Sequence, residues 1–196
     1  MGHYIDAIAL VDKALEINPE SKYAKHRKEV MMLENDYEDN PNDSELALKL
    51  GQAYIDFEQY SDARELFNYL HEEYPREQKY TNYIELLTLQ SEVSSDSGNN
   101  NKREDLARKF WDMERYERAE DEFLKLLKDE SVTGLKKAWY YNNLGCIYYE
   151  YGKDSGLKED YEKSKKYFEM AHDIVPEDED YIKNIDIANN RISEVY

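Results

Sequence analysis

The sequence predicts an all-α fold: a solenoid of about ten helices stacked as antiparallel pairs. Three observations carry this. Only 7 Gly and 4 Pro stand among 196 residues, whereas Glu, Lys, Leu and Ala, which favour helix, are abundant. Apolar residues recur at helical spacing in paired segments joined by short polar turns. The paired pattern then repeats along the chain, so each pair can bury its apolar face only against its neighbours.

The clearest unit is 44–77, SELALKLGQAYIDFEQYSDARELFNYLHEEYPRE. Ala47, Leu50, Tyr54 and Phe57 share one helical stripe, and a polar turn follows at Glu58 and Gln59. A second helix presents Ala63, Leu66, Phe67 and Leu70, and Pro75 ends the unit. Gly51 and Ala63 are the small residues of a close helix crossing, with Tyr54 and Phe67 filling the space beside them. Asn42, Asp43 and Ser44 supply oxygens for the N-cap of the first helix.

Leu50-Gly51, Tyr54, Tyr60, Ala63, Phe67 and Pro75 resemble the tetratricopeptide repeat, with Leu70 replacing its third small residue. A unit at about 100–133 keeps Leu106-Ala107, Phe110, Tyr116, Ala119 and Phe123, with Ser131 in the proline slot. Tyr141, Leu144-Gly145 and Tyr148 match again. After an insertion near 152–160 they continue with Phe168, Ala171 and Pro176. At the start, Tyr4, Ala7, Val11, Ala14 and Pro19 read as a second helix lacking its first. The resemblance covers most of the chain and implies a right-handed superhelix that binds protein rather than performing chemistry.

The array is irregular. Tyr4-x-x-Ala7, Tyr60-x-x-Ala63 and Tyr116-x-x-Ala119 recur at intervals of 56 residues, which predicts a three-helix unit repeated twice. Its extra helix falls at about 22–38 and again at 78–92. The stretch Ser91–Asn101, rich in Ser, Asn and Gly, predicts a mobile loop. The expected organisation is a lobe at 4–92, a flexible loop at 93–101 and a lobe at 102–196. The last lobe would end in a capping helix, 180–196, with Ile182, Ile185, Ala188, Ile192 and Val195 on its buried stripe and Lys183, Asn184, Asn190, Arg191 and Glu194 in water.

The net charge is −18, from 44 acidic and 26 basic side chains. That disfavours nucleic acid and anionic membrane surfaces and points to a basic or amphipathic polypeptide partner. Tyrosine is over-used, at 19 residues, and suits half-buried positions of a two-layer stack. The single cysteine, Cys146, precludes an internal disulfide and fits a reducing, cytoplasmic setting. No apolar run approaches the roughly 20 residues of a membrane span. Met1-Gly2-His3 reads as an expression remnant, which places the native N-terminus and any targeting signal upstream. The unpaired N-terminal half-repeat also predicts an apolar edge through which copies could associate.

The register set by Leu-Gly assigns groove-facing positions on the first helix of each pair. They are Glu45, Leu48, Lys49, Gln52, Ile55 and Asp56, then Glu104, Asp105, Arg108, Trp111 and Asp112, then Trp139, Asn142, Asn143, Cys146, Tyr149 and Glu150. Trp139 and Tyr149 lie ten apart on nearly one face with two amides between them, which suits a peptide. The expected peptide-binding set is therefore Trp139, Asn142, Asn143, Tyr149, Trp111, Arg108 and Gln52. The resemblance also implies a role for Asn143 in holding a ligand backbone. It implies no carboxylate clamp, because the corresponding residues are Leu48 and Gln52 in the first unit and Glu104, Asp105 and Arg108 in the next, and Asn143 alone fits.

Catalysis, metals and cofactors are not expected. His3, His26, His71 and His172 are scattered with no pairing motif, and no phosphate-binding glycine loop exists. The acidic runs 36–39 and 177–180 read as charged helix ends; the first lacks the Gly and Glu of a calcium loop. Cys146 reads as a small residue at a tight crossing. Two other functions are consistent with the pattern: a structural or oligomerisation segment of a longer repeat protein, and a ligand-responsive accessory domain.

Overall fold

The structure, a computed structural model, describes residues 2–195, with residues 2, 3 and 5 by backbone alone. Met1 of the expected remnant and Tyr196 of the expected capping helix lie outside the described residues. The described residues form ten helices and no strand. In order they are α1 (Gly2–Ile17), α2 (Lys22–Asp39), α3 (Ser44–Asp56), α4 (Tyr60–Glu73), α5 (Gln78–Ser95), α6 (Asn100–Asp112), α7 (Tyr116–Leu127), α8 (Gly134–Ser155), α9 (Lys158–Ile174) and α10 (Glu179–Glu194). The chain divides into two compact units, residues 1–88 and 89–196.

That division falls within α5, not in a loop at 93–101. Helix α5 continues to Ser95 and α6 begins at Asn100, so only 96–99 lies outside helix. The small polar residues here terminate helices. The hydroxyls of Ser94 and Ser95 donate to the Gln90 and Glu92 carbonyls at 2.8 and 2.9 Å. The Asn99 side chain caps α6 by accepting from the Lys102 amide at 3.2 Å.

The 56-residue interval recurs at both ends of the extra helix and of the helix that follows it. Lys22, Asp39, Ser44 and Asp56 bound α2 and α3 as Gln78, Ser95, Asn100 and Asp112 bound α5 and α6. The turns after α3 and α6 repeat bond for bond. Glu58 and Glu114 are the only non-glycine residues of the described chain at positive φ, 61° and 57°. The next amides, of Gln59 and Arg115, donate to the Tyr54 and Phe110 carbonyls at 2.8 and 2.9 Å, the left-handed closure of a helix end. The extra helices stand where the repeat interval places them, a few residues longer than expected.

In the first unit α3 crosses α4 at Gly51. A Cβ there would come within 2.4 Å of the Phe67 ring. Phe67 is fully buried and stacks its ring on Tyr83 of α5 at 4.3 Å between centroids. Ala63, the expected second small residue, is likewise fully buried. Tyr54 is half-buried and donates from its hydroxyl to Glu34 of α2 at 3.0 Å. Ile55 was expected in a groove but is only 1% exposed: its apolar branch is held in the core, so the binding stripe of α3 is narrower than its register suggests.

The second unit repeats the device. Gly145 of α8 lies under the Phe168 ring of α9, again 2.4 Å from a would-be Cβ, and the Ser164 hydroxyl donates to the Gly145 carbonyl at 2.8 Å. Two turns on, Gly152 gives the same room to Tyr161. Behind α8 the half-buried tyrosines form a ladder. Tyr141, Tyr167 and Tyr148 stack in sequence, and the Tyr148 and Tyr151 hydroxyls share the two oxygens of Glu120 at 2.5 and 3.1 Å. Burial, and then Glu120, push both phenols well above their usual range.

Filling a notch should cost about 1–3 kcal/mol, the usual penalty for overpacking. Gly51→Ala and Gly145→Ala are each expected to lose that much in urea unfolding. Gly98→Ala, with nothing within 4 Å of its new Cβ, should change stability by less than about 0.5 kcal/mol.

Candidate functional site

The candidate face lies in the second unit, on α6, α8 and α10. Trp139 of α8 is positioned from behind by the core. Its ring meets Phe123 of α7 at 5.7 Å and Tyr140 at 5.5 Å, both edge-on, while its front remains half-exposed. The Arg108 guanidinium of α6 lies over that ring, 4.5 Å from its centroid.

Beside this stack sits Glu104, with a side chain only 13% exposed. It accepts from Arg108 at 2.7 Å, from Lys136 at 3.3 Å and from the Tyr140 hydroxyl at 3.0 Å. Burial, then this carboxylate, push the Tyr140 phenol far up. Lys136 also donates to Asn101 at 3.0 Å. Arg108 and Lys136 are themselves 52% and 54% exposed. The anion is thus covered and the cations face solvent. Glu104, Arg108, Leu135, Lys136, Trp139 and Tyr181 together line an open pocket of about 360 Å³. Leu135, at 74% exposure, is the most exposed large apolar residue of this unit.

The other expected residues divide. Asn142 accepts from Asn184 of α10 at 2.8 Å, and the Tyr149 hydroxyl accepts from Arg191 of α10 at 3.1 Å. Both are covered by the last helix. Asn143 turns back on its own helix and donates to the Trp139 carbonyl at 2.7 Å. Trp111 leans on Tyr116 at 5.1 Å, at the far end of α6. Gln52 belongs to the first unit and donates to the Tyr83 hydroxyl at 2.5 Å. Of the seven, only Trp139 and Arg108 meet at one pocket.

Helix α10 keeps most of its expected register, with Ile185 and Ile192 half-buried and Lys183, Asn190, Arg191 and Glu194 exposed, and departs from it chiefly at its start. Tyr181 and Ala188 are buried, Ile182 is 43% exposed, and Asn184 and Arg191 turn onto α8. The sequence did carry a signal. Asn142–Asn184 and Tyr149–Arg191 are polar pairs separated by the same 42 residues, the offset of two helices running parallel.

Cys146 sits among these residues as a free thiol. Burial, and then the charge of Glu150, push its thiol up to about 11. Among the described residues no group of three His, Cys, Asp or Glu is placed to hold a metal, and no helix is long and apolar enough to cross a membrane.

The fold defines an all-α repeat protein whose helix pairing is tetratricopeptide-like: a glycine notch on the first helix, an aromatic ring on the second. No protein-family model and no curated protein sequence matches the chain. Among solved structures it is similar to a crystal structure of MamA protein, at 17% identity and a TM-score of 0.42, over 100% of this chain and 87% of that one. It is also similar to a tetratricopeptide repeat protein from Parabacteroides merdae ATCC 43184, at 16% identity and a TM-score of 0.40, over 95% of this chain and 78% of that one. With TM-scores under 0.5, neither likeness bears on the site.

A thiol at about 11 is almost wholly protonated near neutrality. Alkylation of Cys146 at pH 8 is therefore expected to run about two orders of magnitude slower than that of an ordinary thiol near 8.5. Urea-unfolded protein should react at the ordinary rate. Equal rates in the two states, read by intact mass, would show the thiol to be open.

Proposed function

We propose that the second unit holds a polypeptide on the face of α6, α8 and α10, with Trp139 as the anchor, and performs no chemistry of its own. The observation that carries this is a large aromatic ring fixed from behind by Phe123 and Tyr140, left half-exposed in front, beside an exposed Leu135. A preorganised aromatic next to apolar surface binds with a smaller ordering cost than a mobile one. The net charge of −18 supports basic residues elsewhere in such a partner, attracted at long range.

A second reading is association of copies through α1. At the 56-residue interval, Leu10 stands where Leu66 stands in α4. Leu66 is 9% exposed under α3, whereas Leu10 is 66% exposed and Ile17, further along, 88%. The face that α3 covers on α4 is open on α1.

The two readings separate by experiment. Trp139→Ala together with Leu135→Ala should cut retention of bound polypeptide by more than tenfold in a pull-down, with helical content unchanged by circular dichroism. Undiminished capture would discard this face. Under the second reading, light scattering would give a mass that rises with concentration and that Leu10→Glu returns to 23.4 kDa; a constant monomer mass removes it.

A further inference from the structure

The polypeptide reading leaves open which chemistry the pocket selects, and the local charges point opposite to the sum over the chain. The chain is strongly acidic, yet the only carboxylate lining the pocket is Glu104, whose charge is already shared among Arg108, Lys136 and the Tyr140 hydroxyl. Its side chain is 13% exposed, while those of the two cations are each more than half exposed. Two outward cations against one covered anion leave a local excess of positive charge at the pocket's edge.

The opposite edge differs. Tyr181 stands at the start of α10 among Asp178, Glu179 and Asp180, three carboxylates facing the single cation Lys183, so this edge is acidic. Asp178 accepts from the Asp180 and Tyr181 amides at 2.9 and 3.4 Å, and Lys183 bridges Asp180 and Glu179 at 3.2 and 3.7 Å. The site is therefore polar along its length. Leu135, Trp139 and Tyr181 supply its apolar lining, and Arg108 and Lys136 its cations.

We propose that the pocket recognises an internal segment of a partner in which an apolar side chain is followed closely by Asp or Glu. The apolar group lies against Leu135, Trp139 and Tyr181, and the carboxylate meets Arg108 and Lys136. This rests on the polypeptide reading above and replaces its basic partner, at this pocket, with an acidic-apolar one. Arg108 is stacked on Trp139 and paired with Glu104 through one terminal nitrogen, and its guanidinium carries further donors for a second carboxylate. An indole beneath the guanidinium then binds the apolar group and orients the cation together. No chain terminus is needed.

Three dye-labelled heptapeptides, blocked at both ends, test this by fluorescence anisotropy on the full chain in low salt. One carries Leu flanked by two Glu, one Leu flanked by two Lys, and one Ser flanked by two Glu. The Leu–Glu peptide is expected to bind at least tenfold more tightly than either of the others. Arg108→Gln with Lys136→Gln should abolish that advantage; the urea midpoint is expected to fall because Glu104 loses both cations, while helical content by circular dichroism stays near the parent's. If the Leu–Lys peptide binds as well or better, or the double variant keeps the Glu preference, the acidic specificity is overturned while polypeptide binding stands. If no peptide binds up to millimolar concentration but Trp139→Ala still weakens capture of a folded partner, the short-segment recognition alone is overturned. If that capture is also unchanged, both fall.

Discussion

An aromatic ring lying on a bare glycine backbone is the contact on which the rest of this molecule depends. Phe67 on Gly51, Phe168 on Gly145 and Tyr161 on Gly152 bring two helices together at a separation that a single methyl group would prevent. Burying such a ring stabilises by about 1.5–3 kcal/mol, but its second effect is geometric. Once Gly145 must face α9, the turn of about 100° per residue assigns every other face of α8. Trp139 is sent to one side, towards α6, and Tyr148 and Tyr151 to another, towards Glu120. A position for binding is thus set by a packing constraint several residues away.

The polar contacts follow the same logic. Half-buried tyrosines rest their rings against neighbouring helices and spend their hydroxyls on carboxylates: Tyr54 on Glu34, Tyr140 on Glu104, Tyr148 and Tyr151 on Glu120. Each pairing takes a charge out of solvent, so a chain with a large acidic excess can still present cations at a chosen place. Around Trp139 that place is the edge formed by Arg108 and Lys136. Net charge and local charge answer different questions. The first governs approach from a distance, and the second governs what is held on contact.

Much of the fold was legible because its cause is local. Small residues at Gly51, Ala63 and Gly145, apolar stripes at helical spacing and a 56-residue recurrence are all visible in one chain, and the helices begin and end accordingly. The Ser- and Asn-rich stretch misled for a related reason: the residues that favour loops also cap helices, and only the Asn99–Lys102 bond distinguishes the two. The candidate site was legible only in part. Periodicity identifies the outward face of α8, but not which portion another helix will cover. Asn142 and Tyr149 were lost to α10, whose Asn184 and Arg191 stand 42 residues away. Ile55 was lost to the core, and Leu135, Lys136 and Tyr181 entered the pocket unannounced. Trp139 remained because Phe123 and Tyr140, which fix it, lie behind the face, and Arg108 remained because it stacks on Trp139.

A double-mutant cycle on Gly145 and Phe168 tests the ring-on-backbone contact most directly. If the ring is what forbids a side chain at 145, the loss caused by Gly145→Ala should largely vanish once Phe168→Leu has removed the ring, giving a coupling of about 1 kcal/mol or more between the two sites. Strictly additive losses would mean that Gly145 and Phe168 do not constrain each other, and the placement of Trp139 would then need another cause.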